Sequence, residues 1–295
     1  MDWRTKAVVQ GILSVLPASE RTNSLLQRAT GSYAISPTKV PPATGYARRH
    51  LQNVDAFANK ARHNCRFFEF GAGWGLPGPI AMALLGAGPQ TVYDLHRHVR
   101  PAFVQRMLQE FSAVPIVDAV RSPPSIEEVW DALADLRIDY RAPADARATG
   151  LPDATIDVVT STNTLEHIPP RDISRILDEM RRILVSDGLL SLQIDYKDHY
   201  SYADRGLSPF NFLGLESRRW RLVNNKLQYQ NRLRHIEYVH LLQVHGFEVL
   251  DEDVVEPTDA DLDVLASMSI ASRFEALPLH ELGRREAVLV ARPRC

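Results

Sequence analysis

From residue 66 onward, short apolar runs alternate with stretches whose apolar residues recur every three or four positions. "RFFEF" reads as a strand and "PGPIAMALLGAG" as a helix closed by Gly86 and Gly88. "TVYDL" and "HVRPAFVQRMLQEF" repeat the strand–helix pair. After a proline-containing stretch, "SIEEVWDALADL" predicts a helix and "IDYRA" a short strand. "IDVVTST", "PRDISRILDEMRRIL" and "GLLSLQID" give strand, helix and strand again, and "FEVLD" and "EAVLVAR" read as the last strands. Such alternation predicts an α/β fold of parallel βαβ units, with helices on both faces of one sheet. Right-handed crossovers then bring the C-terminal ends of the strands to one edge, where ligands bind.

Both flanks depart from this rhythm. Residues 3–29 read as two helices separated by "LPASERT", with Ser19 placed to cap the second. A loop, "SPTKVPPATGY", follows, and "ARRHLQNVDAFANKARH" then carries Leu51, Val54, Phe57 and Ala58 at helical spacing. Residues 1–60 are thus expected to form a helical extension ahead of a domain spanning 61–295. Later, about fifty residues separate "GLLSLQID" from "FEVLD", where a simple crossover needs about a dozen. The surplus, residues 196–234, reads as a cap insertion over the ligand edge of the sheet.

Composition narrows the class of function. With 45% hydrophobic and 24% charged residues in 295, a substantial core is expected and disorder is not. The net charge of -2, from 34 basic and 36 acidic residues, gives no electrostatic reason to expect a nucleic acid or a membrane as partner. Cys65 and Cys295 form neither a disulfide framework nor a metal cluster, which suits a reducing cytoplasm. No transmembrane segment is expected. "AVVQGILSVLP", broken by Gln10 and Gly11 and followed by Pro17, reads as an amphipathic docking helix rather than a secretion signal.

After the first strand the chain runs "FFEFGAGWGL". A dinucleotide fingerprint would place a third glycine where Leu76 stands. What stands here is Glu69 followed by Gly71, Gly73 and Gly75. With this E-x-G-x-G-x-G pattern the sequence resembles the class I S-adenosylmethionine-dependent methyltransferases. The resemblance extends over roughly residues 65–195. It takes in Asp94 at the end of the second strand, Asp145 with Ala146, the "TLEHIP" turn, and "LDEMRRILVSDGLLSL" leading into the fifth strand. It implies a Rossmann-like, mostly parallel seven-stranded sheet and S-adenosylmethionine as cofactor. The glycines would let the backbone pass close to the amino acid and ribose of that cofactor. Asp94 would accept from both ribose hydroxyls, as an acceptor-only carboxylate is able to do, and Asp145 would contact the adenine amino group. The implied cofactor contacts are Glu69, Gly71, Ala72, Gly73, Gly75, Asp94, Leu95, Asp145, Ala146 and Thr162.

The acceptor is read first from absences. "STNTLEH" stands where methyltransferases of exocyclic base amines carry Asp/Asn-Pro-Pro-aromatic, and neither cysteine follows a proline. A small molecule or a glycan remains. Displacement at a sulfonium leaves the protein to align the acceptor and, for an alcohol, to take its proton. Candidates at the ends of the fourth and fifth strands are Glu166, His167, Asp195, Asp198 and His199. His199 is the preferred base because an imidazole works near neutral pH; Asp195 and His167 complete the catalytic set. Some relatives hold a divalent ion with a glu-x-x-glu-his turn. Here Asn163 replaces the first acid, leaving Glu166 and His167, so a metal is not favoured.

The insertion interleaves aromatics with arginines, which suit sugar faces and anionic groups, although a cap also needs a core of its own. Asp198, Tyr200, Tyr202, Trp220 and Arg232 are the expected substrate contacts. The segment is similar to methyltransferases of bacterial surface-polysaccharide biosynthesis, which implies O-methylation of a saccharide. Two rival readings stay open: methylation of an aromatic or other natural-product hydroxyl, and a non-catalytic binding or scaffold role. The N-terminal helices would cover the site, form a homodimer, or pad the sheet.

Overall fold

The computed structural model describes residues 2–14, 40–113, 125–204 and 206–294. The second expected N-terminal helix, with Ser19, lies outside them.

Helix α1 (Trp3–Ser14) precedes α2 (Val40–Phe57), β1 (Phe67–Phe70), α3 (Pro77–Leu84) and β2 (Gln90–Tyr93). Then come α4 (Pro101–Ser112), α5 (Val129–Asp135), β3 (Ile138–Arg141), β4 (Ile156–Thr162), α6 (Pro170–Ile183) and β5 (Leu184–Asp195). The chain closes with α7 (Ser217–Val223), α8 (His235–Val244), β6 (Phe247–Val255), α9 (Asp259–Ser267), α10 (Leu279–Gly283) and β7 (Glu286–Pro293). The strands form one sheet in the order β3-β2-β1-β4-β5-β7-β6, with β7 antiparallel to both neighbours and the other pairings parallel. This is the Rossmann-like class I methyltransferase topology that the sequence led us to expect. The order reverses between β1 and β4, which places the ligand crevice at their C-terminal ends.

The pleat sorts the core into two layers. Phe67, Val92 and Val158 point toward α2, α3, α4 and α5, while Phe68, Phe70 and Val159 point toward α6, α8 and the remaining strands. Central strands are buried on both sides, so that even polar members such as Glu69, Thr160 and Ser161 lie inside. In α6, Ile173, Ile176, Leu177, Met180 and Ile183 form the buried stripe of an amphipathic helix.

Three expectations need correction. Helix α2 begins at Val40, inside the expected loop. Pro41 and Pro42 occupy its first turn, where a missing N–H costs nothing, and Thr44 Oγ1 donates to the Val40 carbonyl at 2.8 Å. The cap is not residues 196–234 alone: Phe210, Phe212, Leu213 and Trp220 share their core with Leu265, Ala271, Phe274 and Leu282, from the segment between β6 and β7. That segment carries α9, capped by the reciprocal pair Thr258 and Asp261, and α10, and the sequence reading left both unassigned. Finally, α1 covers the cap rather than the sheet, through Trp3 and Ala7 against Tyr200. Among the described residues, no helix is long and apolar enough to cross a membrane.

Candidate active site

The loop after β1 turns on two left-handed glycines, Gly71 (φ 78°) and Gly73 (φ 76°), followed by Leu76 (φ 55°). They need to be glycine for different reasons. A Cβ on Gly71 would collide with the Thr164 side chain, whereas a Cβ on Gly73 would meet no protein atom within 4 Å. Gly75 is tight against Met107, whose Cγ would lie 2.9 Å from an added Cβ.

Two acids flank this loop. Glu69 is buried in β1 and accepts from Thr160 Oγ1 at 3.2 Å. Burial, with some repulsion from Asp94, pushes its carboxyl up to about 8, against the Thr160 hydrogen bond. Asp94, just past β2, is pushed up to about 6 by burial, opposed by the nearby Tyr140 hydroxyl and the Ala72 backbone N–H. Its Oδ2 is buried without a well-formed hydrogen bond. A carboxylate in this position is set to receive donors from a ligand.

A cleft of about 380 Å³ opens beside these groups. Gly71, Asp94, Leu95, Asp145 and Ala146 line it, together with Tyr93, His96, His98, Thr164, His167 and Ile168. Five of the ten expected cofactor positions thus meet on one wall. Ala72, Gly73 and Gly75 lie in the adjoining loop and Glu69 in the strand, outside the lining. Thr162 requires correction: its hydroxyl is bonded to His50 Nε2 at 3.0 Å, and Thr164 lines the cleft in its stead. Asp145 is not free-standing. Arg147 donates to both of its oxygens and also pairs with Asp172 at 2.9 Å. These hydrogen bonds hold the Asp145 carboxyl below its usual range despite desolvation.

A second polar cluster is built where β4 and β5 end. Asp195 receives the Lys197 N–H at 3.0 Å and the Tyr202 hydroxyl, and His199 Nε2 stands 3.5 Å from its Oδ2. Burial pushes the Asp195 carboxyl up, but the nearby His199 imidazole, the Lys197 charge and the hydrogen bond from Tyr202 outweigh it and hold it low. The rings of His167 and His199 approach to 4.7 Å, so His167, on the cleft wall, links the two halves of the site. Glu166, His167 and His199 bring ligand-type atoms within 4.8 Å of one another. The third member comes from the cap rather than from the turn that the sequence pointed to.

The substrate contacts expected in the cap need the largest correction. Asp198 is fully buried and accepts from Tyr200 N and Asn211 Nδ2. Tyr200 is buried against Trp3, and its hydroxyl donates to the Val223 carbonyl. Trp220 packs in the cap core, and the Arg232 guanidinium lies 4.8 Å over its ring while donating to the carbonyls of Phe212 and Leu215. Of the five, Tyr202 alone is open, at 61% exposure.

Sequence reasoning missed the groups that hold the site. Asn231 clamps the 165–168 turn: its N–H donates to the Glu166 carbonyl and its Nδ2 to those of Leu165 and Ile168. His50, buried on α2, bridges Ser191 Oγ (2.7 Å) within β5 and Thr162 Oγ1 (3.0 Å) at the end of β4. Burial and the neighbouring Arg49 lower its imidazole to about 4, so it stays neutral. Its one visible signal was a histidine beside Leu51 and Val54 on an otherwise apolar helical face.

Residues 103–192 match the family described as methyltransferase domain. No curated protein matches the chain. Among solved structures it is similar to the 1,6-didemethyltoxoflavin-N1-methyltransferase of Burkholderia thailandensis: 15% identity over 95% of this chain and 92% of that one, at a TM-score of 0.46. It is also similar to the YcgJ protein of Bacillus subtilis, with 13% identity over 84% of this chain and 99% of that one, at 0.44. A third is the phosphoethanolamine N-methyltransferase 2 of Haemonchus contortus, with 15% identity over 84% of this chain and 53% of that one, at 0.48. These likenesses are remote.

Proposed function

We propose that this protein, whose sheet and residues 103–192 are those of a class I S-adenosylmethionine-dependent methyltransferase, methylates a hydroxyl of a saccharide or glycan precursor. Its cofactor, S-adenosylmethionine, would lie in the cleft with the ribose at Asp94 and the adenine toward Asp145 and Ala146. The observation that carries the reading is the pair His199 and Asp195, one ring away from the cleft wall at His167. In the transfer, the acceptor oxygen forms a bond to the sulfonium methyl as the C–S bond breaks. The hydroxyl proton goes to the His199 imidazole, and Asp195, 3.5 Å from its Nε2, stabilises the imidazolium. S-adenosylhomocysteine leaves as a neutral thioether.

What supports a polyhydroxylated acceptor is the chemistry of this end of the site. The Asp195 carboxylate, the His199 imidazole and the Tyr202 phenol stand together there, polar partners suited to neighbouring hydroxyls. The test is a competition assay with isotopically labelled S-adenosylmethionine, read by mass spectrometry, against saccharides, nucleotide-linked sugars and phenols. The reading expects label on a saccharide oxygen. Label on a phenol or on nitrogen would replace it with another methyltransferase activity.

A further inference from the structure

We propose that Glu166, His167 and His199 hold a divalent first-row metal ion, with Zn²⁺ the best match to two imidazoles and one carboxylate. The inference rests on the methyl-transfer reading; with the ion bound, the proton-accepting role given above to His199 falls to Asp195.

Glu166 is the starting point. It sits in the turn after β4, 2% exposed, and neither of its carboxyl oxygens has a well-formed hydrogen bond. Such a group is costly, since a buried carboxylate needs either a cation or several donors. The backbone N–H groups of Glu166 and Asp195 lie near the carboxyl without forming a well-aligned bond to it. The nearby Lys197 ammonium is committed elsewhere, to Asp195 at 3.3 Å and Glu286 at 3.8 Å. Yet the turn is held firmly in place by Asn231, so the carboxyl has little freedom to seek water.

What faces Glu166 is two imidazoles. His167 Nδ1 lies 2.8 Å from the Tyr229 carbonyl, which can only accept, so Nδ1 carries the proton and Nε2 presents its lone pair. A ring fixed through one nitrogen by a carbonyl is the usual arrangement of a metal-ligating histidine. His199 Nε2 is also buried without a well-formed hydrogen bond, although Asp195 is near. Ligand atoms sharing one ion at about 2.1 Å stand no more than about 4.2 Å apart. The 4.8 Å span here closes with side-chain shifts of under about an ångström. Nitrogen-rich donors favour Zn²⁺ over Mg²⁺, and three protein ligands leave a position for an acceptor hydroxyl. With the ion bound, His199 is a ligand, and the proton of the coordinated hydroxyl passes to Asp195.

The test uses the full chain, stripped with a chelator and titrated with Co²⁺, reading visible d–d absorption, and with Zn²⁺ by calorimetry. One equivalent is expected to bind. Glu166→Gln and His199→Asn should each weaken binding by at least about tenfold, with S-adenosylhomocysteine binding and thermal melting followed alongside. His199 sits on the cap rim, so His199→Asn keeps the question answerable should Glu166→Gln fail to fold. A folded wild type that binds S-adenosylhomocysteine but takes up no ion overturns the proposal, as does binding undiminished in His199→Asn. If stripped protein methylates a saccharide at full rate and takes up no ion, the site falls while the O-methylation reading stands. Uptake of one ion with no alcohol methylated is the converse.

Discussion

Asp94 and Glu69 lie on neighbouring strands, yet burial gives them different working states. Asp94 is pushed up to about 6, so near that pH the ligand-free site carries its proton about half of the time. Donors from a ribose favour the ionised form, so cofactor binding should release protons around pH 6 and none around pH 8. Affinity should accordingly fall as pH drops through 6. Calorimetry in buffers of different ionisation enthalpy measures this directly, and Asp94→Asn should remove the pH dependence. Glu69, at about 8, is mostly neutral at pH 7. Its folded value lies above the ordinary 4.5, so its favourable share of stability is complete below 4.5 and is lost as pH rises through 8. Glu69→Gln keeps the shape without the charge. Its melting temperature should gain on wild type as pH is raised from 5 to 9, and a constant difference would contradict the assignment.

The glycine loop and the cap make separate predictions at the level of elements. Gly71→Ala and Gly73→Ala both place a Cβ at positive φ, at about 1–2 kcal/mol. Only Gly71→Ala also strikes Thr164, so it should melt lower and misplace the turn after β4. Gly73→Ala should melt closer to wild type, since its Cβ meets no protein atom, and a loss of cofactor affinity in it would report a close approach of the ligand to the loop. Thermal melts paired with S-adenosylhomocysteine titrations separate the two. In the cap, the fully buried Arg234 guanidinium donates to the carbonyls of Tyr196, Leu282 and Arg284, joining the end of β5 to α10 and the entry of β7. Lysine lacks that fork. Arg234→Lys should therefore cost about 2–4 kcal/mol in carbonyls left unsatisfied, seen as a lower denaturation midpoint.

These elements also show what the sequence makes legible. The βαβ core was readable because its strands and helices each satisfy a local period: "IDVVTST" is buried on both faces and α6 on one stripe. The glycine loop and Asp94 were readable because they follow a strand at fixed distance. The cap was not. Trp220 and Arg232 have the chemistry of a binding surface, but their partner Phe274 lies some forty residues downstream or more, and no local pattern announces that contact. The same holds for His50, whose partners on β4 and β5 are 112 and 141 residues away.

At the scale of the whole molecule, the sheet, α2 and the cap converge on one edge. The sheet supplies Asp94, Asp195 and the turn of Glu166 and His167. Helix α2 ties the end of β4 to β5 through His50, and the cap brings in His199 and Tyr202. Two proton-exchanging carboxyls, Asp94 and Glu69, lie at one end of this edge and a His–Asp pair at the other, and the cleft at Asp94 is the proposed seat of the methyl donor. That is tested most directly by titrating S-adenosylhomocysteine at pH 8 into wild type and into Asp94→Ala. The account predicts saturable binding at one site in wild type, weakened by about tenfold to a hundredfold in the variant, the worth of hydrogen bonds to a charged acceptor. Equal binding in both proteins, or none in a folded wild type, would contradict it.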